Sequence, residues 1–270
     1  MSIFSSICST FAEIMKTNII YNEDCKTTMN EHIDKNSVDI ILTSPPYNTA
    51  RSNCDFHNDT KKGRYTVRYV DFNDNRTAEE YCQWTIDTFN DFDNVLKPNG
   101  VVLYNISYGK HTHESFFLLI GEIIRNTEFT VADKITWKKK AAVPNTASPN
   151  KLTRICEDVF VFVRKNEYDT FTANKKIVSL SKRTKQKNYE NVYNYIEAKN
   201  NDGSCKIHKA TYSTEFCEKL LKIYGREGFI VYDPFIGTGT TALAARNLNM
   251  NYIGSEIYED YYKLTLDRLK

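Results

Sequence analysis

The segment Thr43-Ser44-Pro45-Pro46-Tyr47-Asn48 combines residue types that could hold and activate an amine. Its two prolines lack backbone N–H groups and stiffen the turn, which leaves carbonyls free to accept hydrogen bonds. The Ser44 hydroxyl and the Pro45 carbonyl could both accept from an exocyclic amine and draw its nitrogen toward a pyramidal, nucleophilic geometry. Tyr47 adds a flat face on which a base could stack. Taken alone, the segment also fits a rigid turn after a strand.

A second segment, Asp233-Pro234-Phe235-Ile236-Gly237-Thr238-Gly239-Thr240-Thr241, follows an apolar run and leads directly into a predicted helix. Glycines there let the backbone approach a ligand without a Cβ clash, and the helix N-terminus supplies unpaired N–H groups. Glu256 stands 23 positions after Asp233, at the end of the next predicted strand. A carboxylate at that place can accept both hydroxyls of a ribose. These features together predict a site for a cofactor that contains adenosine.

Two phosphate-binding alternatives fit this second segment poorly. A P-loop needs a lysine after its last glycine, and Thr240 follows Gly239 here. A dinucleotide fingerprint needs a third glycine where this chain has Ala242. Asp233 beside the loop would repel phosphate, but it suits the positively charged amino-acid end of S-adenosylmethionine. The segment therefore favours S-adenosylmethionine as the cofactor.

The two segments resemble motifs of the DNA amino-methyltransferases, and their order, with the catalytic motif first, resembles the β group of that family. Residues 22–25 resemble the family's acidic segment at the cofactor adenine, residues 208–213 the segment that packs on the methionine end, and residues 252–256 the ribose-binding strand. One departure is Lys209, where the family often has proline. The resemblance covers the chain outside roughly 50–78 and 166–207.

The resemblance implies a function for particular residues of this chain. Catalysis is assigned to Ser44, Pro45, Pro46 and Tyr47. Cofactor binding is assigned to Asp24, Cys25, Thr43, His208, Ala210, Tyr212, Asp233, Pro234, Phe235, Gly237, Gly239, Thr240, Thr241 and Glu256. The implied reaction is direct displacement at the sulfonium methyl by the amine of a base that is flipped out of duplex DNA. Such a step needs no covalent enzyme intermediate and no cysteine nucleophile.

The residue at position 44 bears on the target base. By the resemblance, Ser44 rather than an acidic residue favours cytosine N4, because enzymes that act on adenine N6 usually carry Asp or Asn there. Adenine N6 methylation by the same fold remains an alternative. So do methylation of RNA or of a protein glutamine, whose enzymes usually have the opposite motif order, and a nucleotide-binding module without enzymatic activity.

Short apolar runs alternate with amphipathic helices along the chain, which predicts an α/β fold with a doubly wound, mostly parallel sheet. Strands are predicted at 38–42, 100–106, 129–137, 158–164, 229–233 and 252–256. Helices are predicted from a capping box at Thr77 to about Leu96, and at 116–125, 213–224, 240–249 and the C-terminus. The resulting division is a catalytic half at 1–165, a target-recognition insertion at 166–207 and a cofactor-binding half at 208–270.

The net charge of +2 gives no global basic field, so any nucleic-acid contact must rest on local clusters. Basic residues concentrate at 138–154 and 166–207, where they are mixed with Asn, Ser and Tyr. The predicted contacts to double-stranded DNA are Lys138, Lys139, Lys140, Arg154, Lys182, Arg183 and Lys185. The insertion at 51–76 is predicted to cover the site as a flap.

The remaining composition excludes several classes of protein. Seven scattered cysteines without a CxxC pair argue against a disulfide framework and a zinc site, so no metal is expected. We find neither a signal peptide nor an apolar stretch long enough for a membrane span, which predicts a cytoplasmic protein. The resemblance adds a cognate restriction endonuclease as a candidate partner.

Overall fold

The computed structural model describes residues 15–48, 76–107, 113–141, 149–150, 152–203 and 212–270. The strands in these ranges are β1 Ile19–Tyr21, β2 Val38–Thr43, β3 Leu96–Ile106, β4 Phe129–Lys139, β5 Cys156–Arg164, β6 Ile177–Leu180, β7 Lys187–Tyr189, β8 Tyr195–Ala198, β9 Ile230–Asp233 and β10 Asn251–Ser255. The helices are α1 Cys25–Glu31, α2 Ala78–Val95, α3 His113–Asn126, α4 Thr214–Tyr224, α5 Thr240–Asn247 and α6 Glu259–Arg268.

Eight strands form one sheet in the order β1-β10-β9-β2-β3-β5-β4-β8. Neighbouring strands run parallel except at β5, which is antiparallel to both β3 and β4. The strands β6 and β7 form a separate antiparallel hairpin. The predicted doubly wound, mostly parallel sheet is therefore confirmed.

Both faces of the sheet are covered by helices, which explains the nearly continuous apolar sequences of its central strands. Alternate residues enter opposite cores: Ile40 and Leu42 pack with α4 and α5, whereas Ile41 packs with α1, α2 and α3. The same alternation separates Val159 and Val161 from Phe160 in β5. The result is a three-layer α/β/α arrangement whose strand ends are held by packing on both sides.

The ends of two helices follow directly from the sequence. Thr77 accepts from the backbone N–H of Glu80, whose side chain accepts from the Thr77 N–H, so the predicted capping box is present at the start of α2. Ser213 caps α4 by accepting from the N–H of Phe216. These caps fix where each helix starts relative to the loop before it.

Several elements differ from the sequence-based expectation. β3 begins at Leu96, directly after α2, and not at Gly100, because Leu96 is already extended and pairs with Val38. The short strand β1 and helix α1 were not predicted. β8 lies within residues 166–207, yet it pairs with β4 in the main sheet. The last part of the predicted recognition insertion therefore belongs to the main sheet. The function of the insertion stays a prediction.

Two expected absences can be described only for part of the chain. No helix in the described ranges is long and apolar enough to cross a membrane. No group of three His, Cys, Asp or Glu side chains placed to bind a metal occurs within those ranges either. The predicted flap at 51–76 lies outside the described residues except for Arg76.

Candidate active site

The central strands β2 and β9 are parallel neighbours, so the loops after them lie at the same edge of the sheet. From β2 the chain passes through α2 to β3 on one side, and from β9 it passes through α5 to β10 on the other. Because the connections after these two strands lead to opposite sides, a crevice forms between their loops. Open α/β sheets bind ligands in such a crevice. The two segments singled out by sequence meet at this crevice.

A buried hydrogen bond joins the two loops. The Thr43 hydroxyl, at the end of β2, donates to Asp233 Oδ1 at the end of β9 over 2.7 Å, although the residues are 190 positions apart. Both side chains are essentially inaccessible to solvent. The catalytic segment and the glycine-rich segment are therefore fixed against each other by their first residues.

The Asp233 carboxylate is surrounded by donors. Oδ1 also accepts from the Phe235 N–H at 3.1 Å, and Oδ2 lies 2.6 Å from the Thr241 hydroxyl and 3.0 Å from the Tyr212 phenol. Burial raises the pKa of Asp233, and these hydrogen bonds act in the opposite direction. Four donors fill the acceptor sites of a carboxylate, so a direct bond from Asp233 to a ligand ammonium group would have to replace one of them.

Tyr212 connects a third chain segment to this network. Its phenol lies 2.7 Å from the Thr241 hydroxyl as well as close to Asp233. Burial, followed by the nearby Asp233 charge, raises its pKa, so the phenol keeps its proton and can donate. The other predicted residues of that segment, His208 and Ala210, lie outside the described residues together with Lys209.

The glycine-rich loop has the backbone shape that its sequence predicts. Gly237 and Gly239 have φ values of +54° and +81°, a region that side chains with a Cβ rarely adopt. A Cβ on Gly237 would have no contact closer than 3.9 Å, to the Phe235 carbonyl. A Cβ on Gly239 would lie 2.6 Å from Thr265 Cγ2, so α6 excludes a side chain there. Gly237 therefore borders open space, and Gly239 is packed from behind.

Glu256 follows β10 and turns back toward this loop. Its Oε2 accepts from the Gly237 N–H at 2.9 Å and its Oε1 from the Tyr258 N–H at 2.8 Å. Burial raises the pKa of Glu256 to about 7, while the two backbone donors work against that rise. Each carboxylate oxygen keeps one further acceptor site, so Glu256 can still accept two hydroxyl groups.

The predicted catalytic loop, residues 43–48, contains a series of hydroxyl contacts. Ser44 Oγ lies 2.9 Å from the Tyr47 phenol, which donates over 3.3 Å to oxygens of Asn105. If the Ser44 proton points to Tyr47 and the Tyr47 proton points to Asn105, the outer lone pairs of Ser44 stay available. In that arrangement Ser44 could accept a hydrogen bond from an amine, as the sequence predicts.

Tyr81 decides which proline carbonyl can serve as the second acceptor. The Tyr81 phenol, on α2, donates to the Pro46 carbonyl at 2.6 Å. No donor to the Pro45 carbonyl occurs among the described residues. Of the two proline carbonyls, that of Pro45 is therefore the one that stays available for the predicted role, which remains a prediction.

Sequence patterns did not single out Tyr81 and Asn105. Tyr81 occupies an ordinary core position of an amphipathic helix, and Asn105 is a polar residue in an apolar strand. The position of Asn105 carried a usable signal, because a buried amide near the carboxyl end of a strand requires a hydrogen-bond partner. Asn105 donates to the Asp158 carbonyl as well, over 3.2 Å.

Asp24 and Cys25 lie at the start of α1, just after β1 and near the end of β10. Asp24 caps the helix by accepting from the Lys26 N–H. The Cys25 side chain is buried, and burial raises the pKa of its thiol, which leaves it unreactive. Asn22 donates to the Glu256 carbonyl at 2.8 Å, so this segment is tied to the Glu256 turn.

The lysines at the end of β4 are paired with acidic side chains. Lys138 pairs with Glu197, Lys139 with Glu157 and Lys140 with Glu215. Hydrogen bonds from Lys140 and Lys219 lower the pKa of Glu215 to about 2. These lysines join β4 to β8, β5 and α4, so part of their charge is already balanced within the protein.

The other predicted DNA contacts are exposed. Lys182, Arg183 and Lys185 lie in the turn between β6 and β7, where every residue from Lys182 to Tyr189 is exposed. Arg154 lies in an exposed stretch just before β5. The hairpin therefore presents its basic turn to solvent.

A cavity of about 670 Å³ opens beside the catalytic loop, between α2 and α3. Its lining is mostly apolar and includes Tyr47, Ile86, Ile106, Phe116 and Leu119. Tyr47 lines the cavity, whereas Gly237 and Glu256 are not part of its lining. The site thus has an apolar compartment on the catalytic-loop side.

Comparison with known proteins places this geometry in context. The model of a family described as DNA methylase matches residues 38–267. Among curated proteins, the chain is 28% identical over 267 residues to the Type II methyltransferase M.BglII of Bacillus subtilis, covering 90% of this chain and 66% of that protein. It is 26% identical over 271 residues to the Type II methyltransferase M.HinfI of Haemophilus influenzae, covering 94% and 68%. The chain thus spans about two thirds of the length of these relatives.

Solved structures show a similar fold. The PvuII DNA methyltransferase, whose title calls it cytosine-N4-specific, aligns with a TM-score of 0.70 at 17% identity, covering 95% of this chain and 87% of that chain. A complex of M1.HpyAVI with SAM aligns with a TM-score of 0.59 at 21% identity, covering 93% and 98%.

Proposed function

The chain belongs to the DNA methylase family, and from that premise we propose that it transfers a methyl group from S-adenosylmethionine to the exocyclic N4 amino group of cytosine in duplex DNA. One observation carries the proposal. The Thr43–Asp233 hydrogen bond places a loop with two acceptors for an amine directly beside a glycine-rich loop with a spaced carboxylate. Donor and acceptor of a methyl group can then occupy adjoining compartments of one crevice.

The cofactor side of the crevice offers groups suited to each part of S-adenosylmethionine. Glu256 keeps two acceptor sites for the ribose hydroxyls, and Gly237 lets the ligand approach the backbone. Asp233, Thr241 and Tyr212 form the buried polar end of the crevice, toward which we place the methionine portion. When bound, the cofactor supplies an electrophilic methyl group on a positively charged sulfur.

On the other side, Ser44 Oγ and Pro45 O would accept the two hydrogens of the target amine. These bonds direct the nitrogen lone pair toward the methyl group. An N–C bond forms as the methyl–sulfur bond breaks, and the methylated amine then loses a proton to solvent. Positioning of this kind can lower a barrier by roughly 7–11 kcal/mol.

The base itself must leave the duplex to reach this loop, at a free-energy cost of a few kcal/mol. Stacking on Tyr47 offsets about 1–3 kcal/mol of that cost. The apolar cavity beside Tyr47 gives a flipped base a place out of water. Asn48, which also lines the cavity, is held by two hydrogen bonds between its amide and the Arg76 backbone, so this wall is fixed.

We propose that the hairpin turn with Lys182, Arg183 and Lys185, together with Arg154, contacts DNA phosphates. Their exposure supports this role, whereas the ion pairs of Lys138, Lys139 and Lys140 make those lysines weaker candidates. Relatives named Type II methyltransferases suggest a restriction-modification system and a cognate endonuclease.

The proposal is tested by expressing the chain in a host without other DNA methylation and analysing its nucleosides by mass spectrometry. We expect N4-methylcytosine, at one sequence context when the same DNA is read by methylation-aware sequencing. N6-methyladenine instead would assign the same site to the other base of the family. Absence of any methylated nucleoside, with the protein folded and present, would contradict the proposed activity.

A further inference from the structure

The last helix, α6, packs against the back of the glycine-rich loop. Thr265 is fully buried and donates to the Gly237 carbonyl at 2.8 Å. The same side chain occupies the space next to Gly239, where a Cβ would lie only 2.6 Å from Thr265 Cγ2. One residue of α6 therefore fixes the orientation of one peptide group and the position of the next glycine.

Arg268, one turn further along α6, contacts the same loop. Its Nη1 donates to the Thr238 carbonyl at 2.5 Å and lies 3.0 Å from the Thr238 hydroxyl and 3.2 Å from the Thr240 hydroxyl. The side chain is 15% exposed, which limits competition from water.

The other end of the same guanidinium reaches a different chain segment. Arg268 Nη2 forms an ion pair with Asp202 Oδ2 at 3.1 Å. Asp202 in turn accepts from the Thr214 N–H at 2.9 Å and from the Thr214 hydroxyl at 2.6 Å, at the start of α4. Thr214 follows Tyr212 by two positions, and Tyr212 contacts Asp233.

We propose that Arg268 and Thr265 are positioning residues for the cofactor site. Thr265 sets the peptide orientation of the glycine-rich loop, and Arg268 sets the distance between that loop and the segment that carries Tyr212. Both groups act from behind the loop and do not touch the cofactor. The inference rests on the proposed function to the extent that the loop binds S-adenosylmethionine.

A purely structural role makes a different prediction. If Arg268 only stabilised the C-terminus, its replacement would lower the melting temperature and leave the affinity of the folded protein for the cofactor product unchanged. If it positions the loop, affinity falls even at temperatures where the variant is fully folded. DNA binding without cofactor should be unaffected, because the hairpin turn lies on other elements.

The test measures the binding of S-adenosylhomocysteine to the full chain by calorimetry, at a temperature where circular dichroism shows each variant folded. Arg268→Met, which keeps the length of the side chain and removes its donors, should raise the Kd about tenfold. Arg268→Lys should recover part of the loss, and Asp202→Asn, which weakens only the link to α4, should raise the Kd about threefold. Lys263→Met, at an exposed position of α6, is the matched control and should bind like the wild type.

A Kd within twofold of the wild type for both Arg268→Met and Asp202→Asn overturns the inference. If Arg268→Met does not fold, the same criterion is applied to Arg268→Lys and Asp202→Asn: a Kd within twofold of the wild type for both overturns the inference. Equal losses of product binding and of cofactor-free DNA binding also overturn it, because they indicate a general loss of structure. If the wild-type protein binds no S-adenosylhomocysteine, the proposed function itself is refuted. If the wild type binds normally and the variants bind equally well, only the positioning role is refuted.

Discussion

At the scale of single residues, the orientation of the Ser44 hydroxyl depends on Tyr47. It is within 2.9 Å of Tyr47 Oη, and the Tyr47 phenol reaches Asn105. A hydroxyl that donates to a phenol presents its lone pairs outward, whereas one without a partner can rotate. The proposed acceptor role of Ser44 therefore depends on three residues, of which only Ser44 and Tyr47 are close in sequence.

This chain of hydroxyls leads to the first prediction. Ser44→Ala should lower kcat about a hundredfold, the effect typical of losing one group aligned with the reacting atoms. Tyr47→Phe keeps the stacking face and removes only the phenol that orients Ser44, so a smaller loss, on the order of fivefold, is expected. Single-turnover kinetics with a cognate duplex would measure both. The affinity for S-adenosylhomocysteine should stay unchanged in each variant, and a weakened affinity in Ser44→Ala would contradict the assigned role.

Glu256 provides the second prediction, since its pKa is raised from 4.5 to about 7 by burial. Ribose hydroxyls donate to the ionised form, so cofactor binding requires loss of the Glu256 proton when the pH is below about 7. The affinity should be constant above that pH and fall by up to about tenfold per pH unit below it. Calorimetric titration with S-adenosylhomocysteine at several pH values checks this.

The control for this profile is Glu259→Gln, an exposed acid three residues away, which should keep the pH dependence of the wild type. Glu256→Gln should abolish the dependence and bind weakly at every pH. The same raised pKa gives Glu256 a contribution to the stability of the unliganded protein that is fully present below pH 4.5 and is lost as the pH rises through about 7. A flat affinity profile for the wild type would remove Glu256 from the ribose site.

At the scale of elements, the hairpin of β6 and β7 differs from all other strands. Each of its strand residues is exposed on both faces, and no other strand of the described chain pairs with it. Asn188 donates to the Ser179 hydroxyl across the hairpin over 2.9 Å, and Ile177 lies opposite Tyr189. A two-stranded ribbon of this kind can enter a major groove, and its basic turn can reach phosphates.

The third prediction concerns this turn. Replacing Lys182, Arg183 and Lys185 together with Gln should reduce the slope of log K against log salt concentration by about three for duplex DNA, because each phosphate contact contributes roughly one. Lys138→Gln is the matched control, since Lys138 is already paired with Glu197. Fluorescence anisotropy over a range of salt concentrations measures the slopes. An unaltered slope in the triple variant, or an equal change in the control, would place the phosphate contacts elsewhere.

At the scale of the whole molecule, the candidate active site forms because β2 and β9 are neighbours in the sheet. The chain leaves β2 toward one edge of the sheet and returns to β9 only after 186 intervening residues, which separate Thr43 from Ile230. Asp233 then contacts Thr43, Tyr212 and Thr241, so the end of β2, the segment before α4 and the start of α5 share one buried carboxylate. Removal of any partner leaves the others with an unmatched polar group.

The fourth prediction tests this sharing. Thr43→Val and Asp233→Asn should each destabilise the protein by about 1–3 kcal/mol, because each leaves a buried polar group without its partner. The double variant should lose less than the sum, with a coupling free energy of about 1 kcal/mol. Urea denaturation followed by tryptophan fluorescence measures all three. Additive losses would show that the two loops are fixed by other contacts.

Much of the fold could be predicted because its long elements carry their own signals. The apolar sequences of β2 and β5 and the capping box at Thr77 are local features that the structure reproduces. Short strands could not be found in this way. In β8 only Ile196 and Ala198 point inward, and β1 has three residues, so pairing with a neighbouring strand determines both.

The sequence by itself determined the chemistry of the two loops, because residue types such as Ser44, Gly237 and Glu256 can be recognised without knowing their neighbours. Only the tertiary structure decided which atoms remain available. Tyr81 occupies the Pro46 carbonyl, donors surround Asp233, and Arg268 contacts the glycine-rich loop from α6, 30 positions after Thr238. These choices are made by hydrogen bonds between segments far apart in the chain. A parallel sheet brings such segments together through its strand order, which no local pattern specifies.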